Sequence, residues 1–290
     1  MSISEFLLAL ETVVPLAAVG YERDAVGLQV GLPEGTKLTA ALFAYEATRE
    51  VIAEARKRKA NLIVAFHPLI FPNVDAITDA TRTGALIREL VKSDIALYIQ
   101  HTAFDTQPEF GTSVLMAEAL KLEDIETLAP IPRVRLFAES HGNEGMGAIG
   151  KLPKEKKRED FLRLVAETFG TPVLRHNGNG PANISRVAVV GGAGMDFYKH
   201  ARLQHADAFI TADVRYHDFH RADYDKILLL DAGHAETERF VTRGLIRAAR
   251  KSLEMNQNAQ DAVLSLDALL LLAHTEPNAV RYFGINRSLT

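Results

Sequence analysis

Short apolar runs alternate with amphipathic stretches along most of the chain. TAALFAYEA (39–47), NLIVAF (61–66) and IALYIQ (95–100) read as buried strands, because a strand covered on both faces carries a continuous apolar run. Between them, TREVIAEARKRK (48–59) and TGALIRELVKS (83–93) have helical spacing. The pattern returns in RVAVVGG (186–192), MDFYKHARLQH (195–205), DAFITA (207–212), KILLLDAG (226–233) and ETERFVTRGLIRAARKSL (236–253). Buried strands alternating with helices predict an α/β protein with mostly parallel mixed sheets.

The two sets of elements resemble each other. ANLIVAFHPL answers ADAFITADVR, and IALYIQHTAFD answers KILLLDAGHAETE, a self-similarity of about 70 residues. This predicts two similar α/β halves, 1–124 and 183–290, facing a shared cleft; the first and last parts can pack as one unit. The intervening 125–182 reads as a small α+β segment. There RVRLFAE, GMGAIGKL and TPVLRH suggest short strands around a helix, REDFLRLVAETF (158–169). KLPKEKKRED (151–160) reads as a solvated helix start. Ile3, Phe6, Leu7 and Leu10 share one helical face, with Ser4 as the expected N-cap. The tail DALLLLAHTEPNAVRYF (267–283) predicts a final strand, because β-rich VRYF follows the turn-like EPN.

Composition narrows the chemistry. The 290 residues are 47% apolar and 24% charged, with a net charge of −4. No basic face advertises nucleic-acid binding, and no run is long and apolar enough to span a membrane. Glu5 and Glu11 interrupt the apolar N-terminus, and a positive leader region is lacking, so a cytoplasmic protein is expected. There is no cysteine. A metal would therefore be held by His, Asp or Glu.

Polar groups collect at the predicted strand ends: His67, His101 with Asp105, Asp213 with His217, and His234 with Glu238. The carboxyl edge of a parallel sheet is where ligands bind. A histidine at a strand exit and a carboxylate one helical turn later can point to one side. In 236–253 that carboxylate falls in the first turn of the predicted helix, where the dipole favours it. Sulfur-free N/O donors suit Zn, Fe, Mn, Co or Ni. Such a crevice can hold one or two divalent ions, with Glu238 as the bridge. The bland alternatives are turn histidines and helix-capping acids, Glu236 among the latter. GGAG (191–194) is either a phosphate cradle or a tight strand-to-helix turn. AVGLQVG (25–31) is either a loop near the site or a hairpin element.

FHPLIF (66–71), HTAFD (101–105), VGGAG (190–194), ITADVRYHD (210–218), DAGHAETER (231–239) and GLQVG (27–31) together resemble the GTP cyclohydrolase I type 2 homologues, the NIF-three-like proteins. The likeness runs in order from about residue 1 to 283. It implies a two-domain α/β fold, a dinuclear metal site in the cleft, and a homo-oligomer, often a hexamer built as a trimer of dimers. By that resemblance one ion takes His67, Asp105 and Glu238. The other takes His234, shares Glu238 and has His101 close by. One departure matters: the family usually has two adjacent histidines before the proline, and here the first is Phe66. The family's tryptophan-containing entry to GLQVG is replaced by YERDAVG, and the middle is too short for the extra domain of long members.

The expected function is a metal-dependent, hydrolase-like activity using activated water, with His101 or His217 shuttling protons. The substrate would be nucleotide-like: a purine nucleotide, a cyclic amidine or a phosphate ester. The rival expectation is a non-enzymatic metal carrier or oligomeric assembly scaffold.

Overall fold

The computed structural model describes residues 1–16, 24–131, 144–255, 266–275 and 279–282. The RVRLFAE strand (133–139) lies outside the described residues. In chain order the elements begin with helix α1 (Ile3–Val13), strands β1 (Gly27–Val30) and β2 (Ala41–Ala44), helix α2 (Arg49–Lys57), strand β3 (Leu62–Ala65), helix α3 (Arg82–Lys92) and strand β4 (Ala96–Ile99). Helices α4 (His101–Asp105) and α5 (Thr112–Ala119) lead to strands β5 (Glu123–Pro130) and β6 (Gly145–Lys157), helix α6 (Arg158–Phe169), and strands β7 (Arg175–His176) and β8 (Asn183–Val189). Helix α7 (Tyr198–Leu203), strand β9 (Ala208–Thr211), helix α8 (Tyr216–Asp225), strand β10 (Leu228–Asp231), helices α9 (His234–Thr237), α10 (Val241–Met255) and α11 (Leu266–Leu269), and strand β11 (Leu270–Leu272) complete the chain.

These strands form two mixed sheets, ordered β1-β4-β3-β2-β11 and β5-β6-β8-β9-β10-β7. Strands β4, β3, β2 and β11 are parallel, and β1 closes that sheet antiparallel along β4. In the second sheet β8, β9 and β10 are parallel, while β5, β6 and β7 pair antiparallel. Side chains alternate across each strand, so one strand feeds two cores. Ala41 and Phe43 join Phe6, Leu10, Leu245 and Ala249 beneath α1 and α10. Leu42 and Ala44 face Ile52, Leu86 and Leu90 of α2 and α3. The second sheet is covered likewise, by α5 and α6 on one face and by α7 and α8 on the other.

Local chemistry corrects several sequence expectations. Ser2, not Ser4, caps α1, and it does so in a reciprocal capping box with Glu5. Residues 151–157 are strand rather than helix start, since Lys151, Lys156 and Lys157 continue the ladder with β8. TPVLRH contributes only the short β7. The predicted helix 236–253 is two helices. Gly233, at φ +88, opens the one-turn α9, and the Val241 amide closes a tight turn on the Glu238 carbonyl before α10 begins. Glu238 is thus the residue that ends α9, not one in the first turn of a long helix. The final strand is Leu270–Leu272, preceded by a helical turn.

The carboxyl-terminal strand is tied down by α2. Glu54 accepts hydrogen bonds from the His274 and Thr275 amides and the Thr275 hydroxyl, and from Arg58, which also reaches the Leu272 carbonyl. Burial pushes the Glu54 carboxyl up, but the Thr275 and Arg58 hydrogen bonds outweigh it and hold its pKa at about 2 instead of 4.5. Its stabilisation is therefore full above pH 4.5 and is lost as pH falls toward 2. Glu54→Ala should cost about 2 kcal/mol and speed amide exchange at Ala273 and His274. Its Tm deficit against the unmodified protein should close in acid; a deficit that persists unchanged at low pH would remove the charged-carboxylate account.

Candidate metal centre

The exits of the parallel strands converge. In the first sheet the chain leaves β2 at Tyr45, β3 at Phe66 and His67, and β4 at Gln100 and His101. Backbone hydrogen bonds continue past the strand ends, with the His67 amide on the Tyr45 carbonyl and the His101 amide on the Phe66 carbonyl. In the second sheet β8 runs into Gly191 and Gly192, β9 into Asp213, and β10 into His234.

The centre is Glu238, which is 4% exposed. Its Oε2 accepts the Tyr45 hydroxyl at 2.6 Å and lies 3.0 Å from His67 Nε2 and 3.2 Å from His234 Nε2. Ligand atoms of His67, His234 and Glu238 all lie within 4.8 Å of one another. Burial pushes the Glu238 carboxyl up, but His234 and then His67 outweigh it and pull it well below the usual range. The same contact raises His234 to about 9, with Asp213 adding to it and burial opposing. Burial and proximity of the Tyr45 phenol to Glu238 push that phenol far up, so it stays a donor.

Two more predicted residues border this group. The His101 ring is 5.4 Å from the His67 ring, and its Nδ1 is 2.8 Å from Asp24 Oδ1. Asp105 closes the one-turn α4, and its carboxyl is pushed up to about 7, first by burial and further by the Glu238 carboxylate. The pair His101/Asp105 spans α4 as His234/Glu238 spans α9. His217 is placed elsewhere: it is exposed at the start of α8, its ring against Tyr216 and His220. The structure thus gives His217 no part in the cluster.

The residues fit a divalent cation. Two imidazoles and a buried carboxylate meet within ligand distance, and the Glu238 carboxylate adds to the rise that burial gives the Asp105 carboxyl, a conflict that a positive ion relieves. The backbone makes room as well. A Cβ at Gly192, where φ is +59, would lie 2.4 Å from Glu238 Oε1 and 3.0 Å from His234 Nε2, so only glycine fits. The GGAG segment is this wall rather than a phosphate cradle. The amides of Gly191, Gly192 and Gly194 are taken by the hydroxyls of Ser113, Thr237 and Thr211.

Phe66 is fully buried, its ring 4.9 Å from that of His67 and 5.5 Å from that of His101. It is an apolar wall of the site, at the place where the resemblance predicts a ligand. A cleft of about 490 Å³ opens beside Tyr45, His234 and Glu238, and is walled also by Phe169, Glu46, Glu236 and Val280. Sequence reasoning missed Tyr45, which reads as a strand residue, and the Asp24 contact, which joins segments 77 residues apart. AVGLQVG contributes the edge strand β1 and, through Gln29, binds the Leu69 and Ile70 amides after His67.

The model of the Duf34/NIF3 (NGG1p interacting factor 3) family matches residues 1–267. The GTP cyclohydrolase 1 type 2 homolog of Streptomyces coelicolor is 33% identical over 239 residues, 81% of each chain. That of Clostridium perfringens is 32% identical over 273 residues, 92% of this chain and 97% of its own. Among solved structures, the hypothetical protein SA1388 of Staphylococcus aureus superposes with a TM-score of 0.84 at 24% identity, covering 98% of this chain and 99% of that one.

Because residue 66, where the resemblance predicts an imidazole, carries a ring that cannot ligate, zinc titration of the full chain should show one tight site, or two sites differing by about 10–100-fold. Phe66→His should raise the weaker affinity, and Glu238→Ala should strip more metal than His67→Ala. Two equally tight sites in the unmodified protein would show that Phe66 does not weaken either.

Proposed function

Because the chain belongs to the Duf34/NIF3 family, we propose that it binds a divalent cation between its two sheets and uses it in a hydrolase-like reaction. The observation that carries this reading is Glu238 Oε2, met by His67 from the first sheet and His234 from the second. His67, His234 and Glu238 would hold the ion, with Asp105 and His101 as further donors and room for one or two ions. The donor set suits Zn, Fe, Mn, Co or Ni. When bound, such a cation supplies Lewis acidity and activates water near neutral pH.

The chain's own residues supply the rest. Tyr45 donates to Glu238 and orients its carboxylate. His101, with Nδ1 on Asp24, has Nε2 left to ligate or to hold a proton. The cleft beside His234 and Glu238 has the volume of a small-molecule site. Phe169 and Val280 offer it apolar walls, and Glu46 and Glu236 bring carboxylates to its lining. The name of the relatives makes a purine nucleotide the first substrate to try.

The metal-replete chain should turn over a member of a panel of purine nucleotides, cyclic amidines and phosphate esters. Chelation should abolish the activity, and Glu238→Ala should lower it by roughly 100-fold or more. Metal affinity should fall as pH drops through the histidine range, because a protonated imidazole cannot ligate. Tight binding without turnover, with transfer of the ion to an acceptor protein, would replace the hydrolase with the carrier reading.

Self-association is part of the same proposal. Sedimentation velocity at micromolar concentration should show a species well above the 31.9 kDa chain. A persistent monomer would remove it.

A further inference from the structure

We propose that Asp24 and Asp213 are positioning residues that fix the His101 and His234 rings with Nε2 toward the cation site. The proposal rests on the metal-binding reading above. His101 Nδ1 lies 2.8 and 3.1 Å from the two Asp24 oxygens, and His234 Nδ1 lies 2.6 Å from Asp213 Oδ2. An ionised carboxylate only accepts, so each Nδ1 must carry the proton. Nε2 is then the one ring nitrogen with a lone pair when the ring is neutral. In the metal-free chain His234 Nε2 faces Glu238 Oε2 at 3.2 Å and donates to it while the ring is charged; the shorter 2.6 Å contact to Asp213 is what keeps the proton on Nδ1 when the ring is neutral or Nε2 binds a cation.

The two aspartates reach the same task from different places. Asp24 precedes the edge strand β1, has a side chain only 7% exposed, and also accepts the Thr102 amide at 3.3 Å. It thereby holds the backbone at His101, whose φ of +30 is disfavoured for a side-chain-bearing residue. Asp213 leaves β9 at φ +53, a conformation that aspartate tolerates, and this turn aims its carboxylate at the neighbouring strand exit. His67 is held differently: Nε2 lies on Glu238 and the ring stands edge-on to Tyr45 at 4.7 Å.

The test uses the full chain, with zinc competed against a chromophoric chelator. Asp24→Ala and Asp213→Ala should each weaken zinc binding by about 10–100-fold. The Asn variants should fall between, because a carboxamide oxygen still accepts Nδ1–H without the charge. Asp213 is 58% exposed, so Asp213→Ala should still fold, with a metal-free Tm lowered only by the positive φ that alanine tolerates less well, and it decides the matter if Asp24→Ala fails to fold. Zinc affinity within twofold of the unmodified protein in a folded Asp213→Ala would overturn the proposal. A metal-independent readout separates this failure from failure of the metal reading. At a pH above the ring's own titration, followed in the same spectra, the His234 ring ¹⁵N shifts in the metal-free protein should report the Nδ1–H tautomer, and Asp213→Ala should shift the ring toward Nε2–H. If the unmodified chain binds no zinc yet shows this tautomer switch, the metal reading falls and the positioning stands. An unchanged tautomer overturns the positioning whatever the metal does.

Discussion

One carboxylate oxygen constrains much of the molecule. Glu238 is almost fully buried, and an ionised carboxylate in such a place costs several kcal/mol unless donors replace its water. Tyr45, His67 and His234 do so at 2.6, 3.0 and 3.2 Å. The first two leave parallel strands of the first sheet, and the third leaves the second sheet one turn before Glu238. These contacts hold only if the carboxyl edges of both sheets face one another. Helix α10 continues the restraint, since it starts three residues after Glu238 and packs against α1 and the first sheet. Phe240, in the link, touches cores on both sides.

The second constraint is room. Gly192 lets the backbone after β8 pass beside Glu238 Oε1 where any Cβ would collide. The amides of that turn are already spoken for by Thr237, Thr211 and Ser113. Thr237 is the residue before Glu238, so the hydroxyl that fixes the glycine turn belongs to the segment that delivers the carboxylate. Glycine wall and carboxylate are one assembly, which is why the two motifs VGGAG and DAGHAETER make sense only together.

Much of this was legible in the sequence, for identifiable reasons. The strands 41–44, 62–65, 96–99, 208–211 and 228–231 are buried on both faces, so each wrote an apolar run, broken only at the last residue of the final two. Helix 158–169 matches its amphipathic stretch residue for residue. The strand-exit histidines were visible because a polar residue ending an apolar run is conspicuous. What stayed hidden depends on tertiary contact. The break at Glu238 has no proline or glycine to announce it. The lysines of 151–157 read as solvated helix because only the pairing with β8 makes them strand. Asp24 and Tyr45 carry no periodic signal, and His217 carries the strand-exit signal but sits on the exposed face at the start of α8 rather than beside Glu238.

The ion cluster is not what closes the fold. Four apolar cores do that, on both faces of both sheets, and an apolar substitute for a buried ion cluster is often as stable or more so. Its presence is better explained by chemistry than by stability, and its asymmetry says from where that chemistry is reached. On the first-sheet side, Phe66 packs against both His67 and His101, and the His67 side chain is 19% exposed. On the second-sheet side, the His234 side chain is 37% exposed and borders the large cleft together with Glu238. Phe66 puts a buried apolar ring against both histidines, where the resemblance predicts a donor. Under the proposed metal-binding reading, ion and ligand approach along His234, the most exposed of the three histidines.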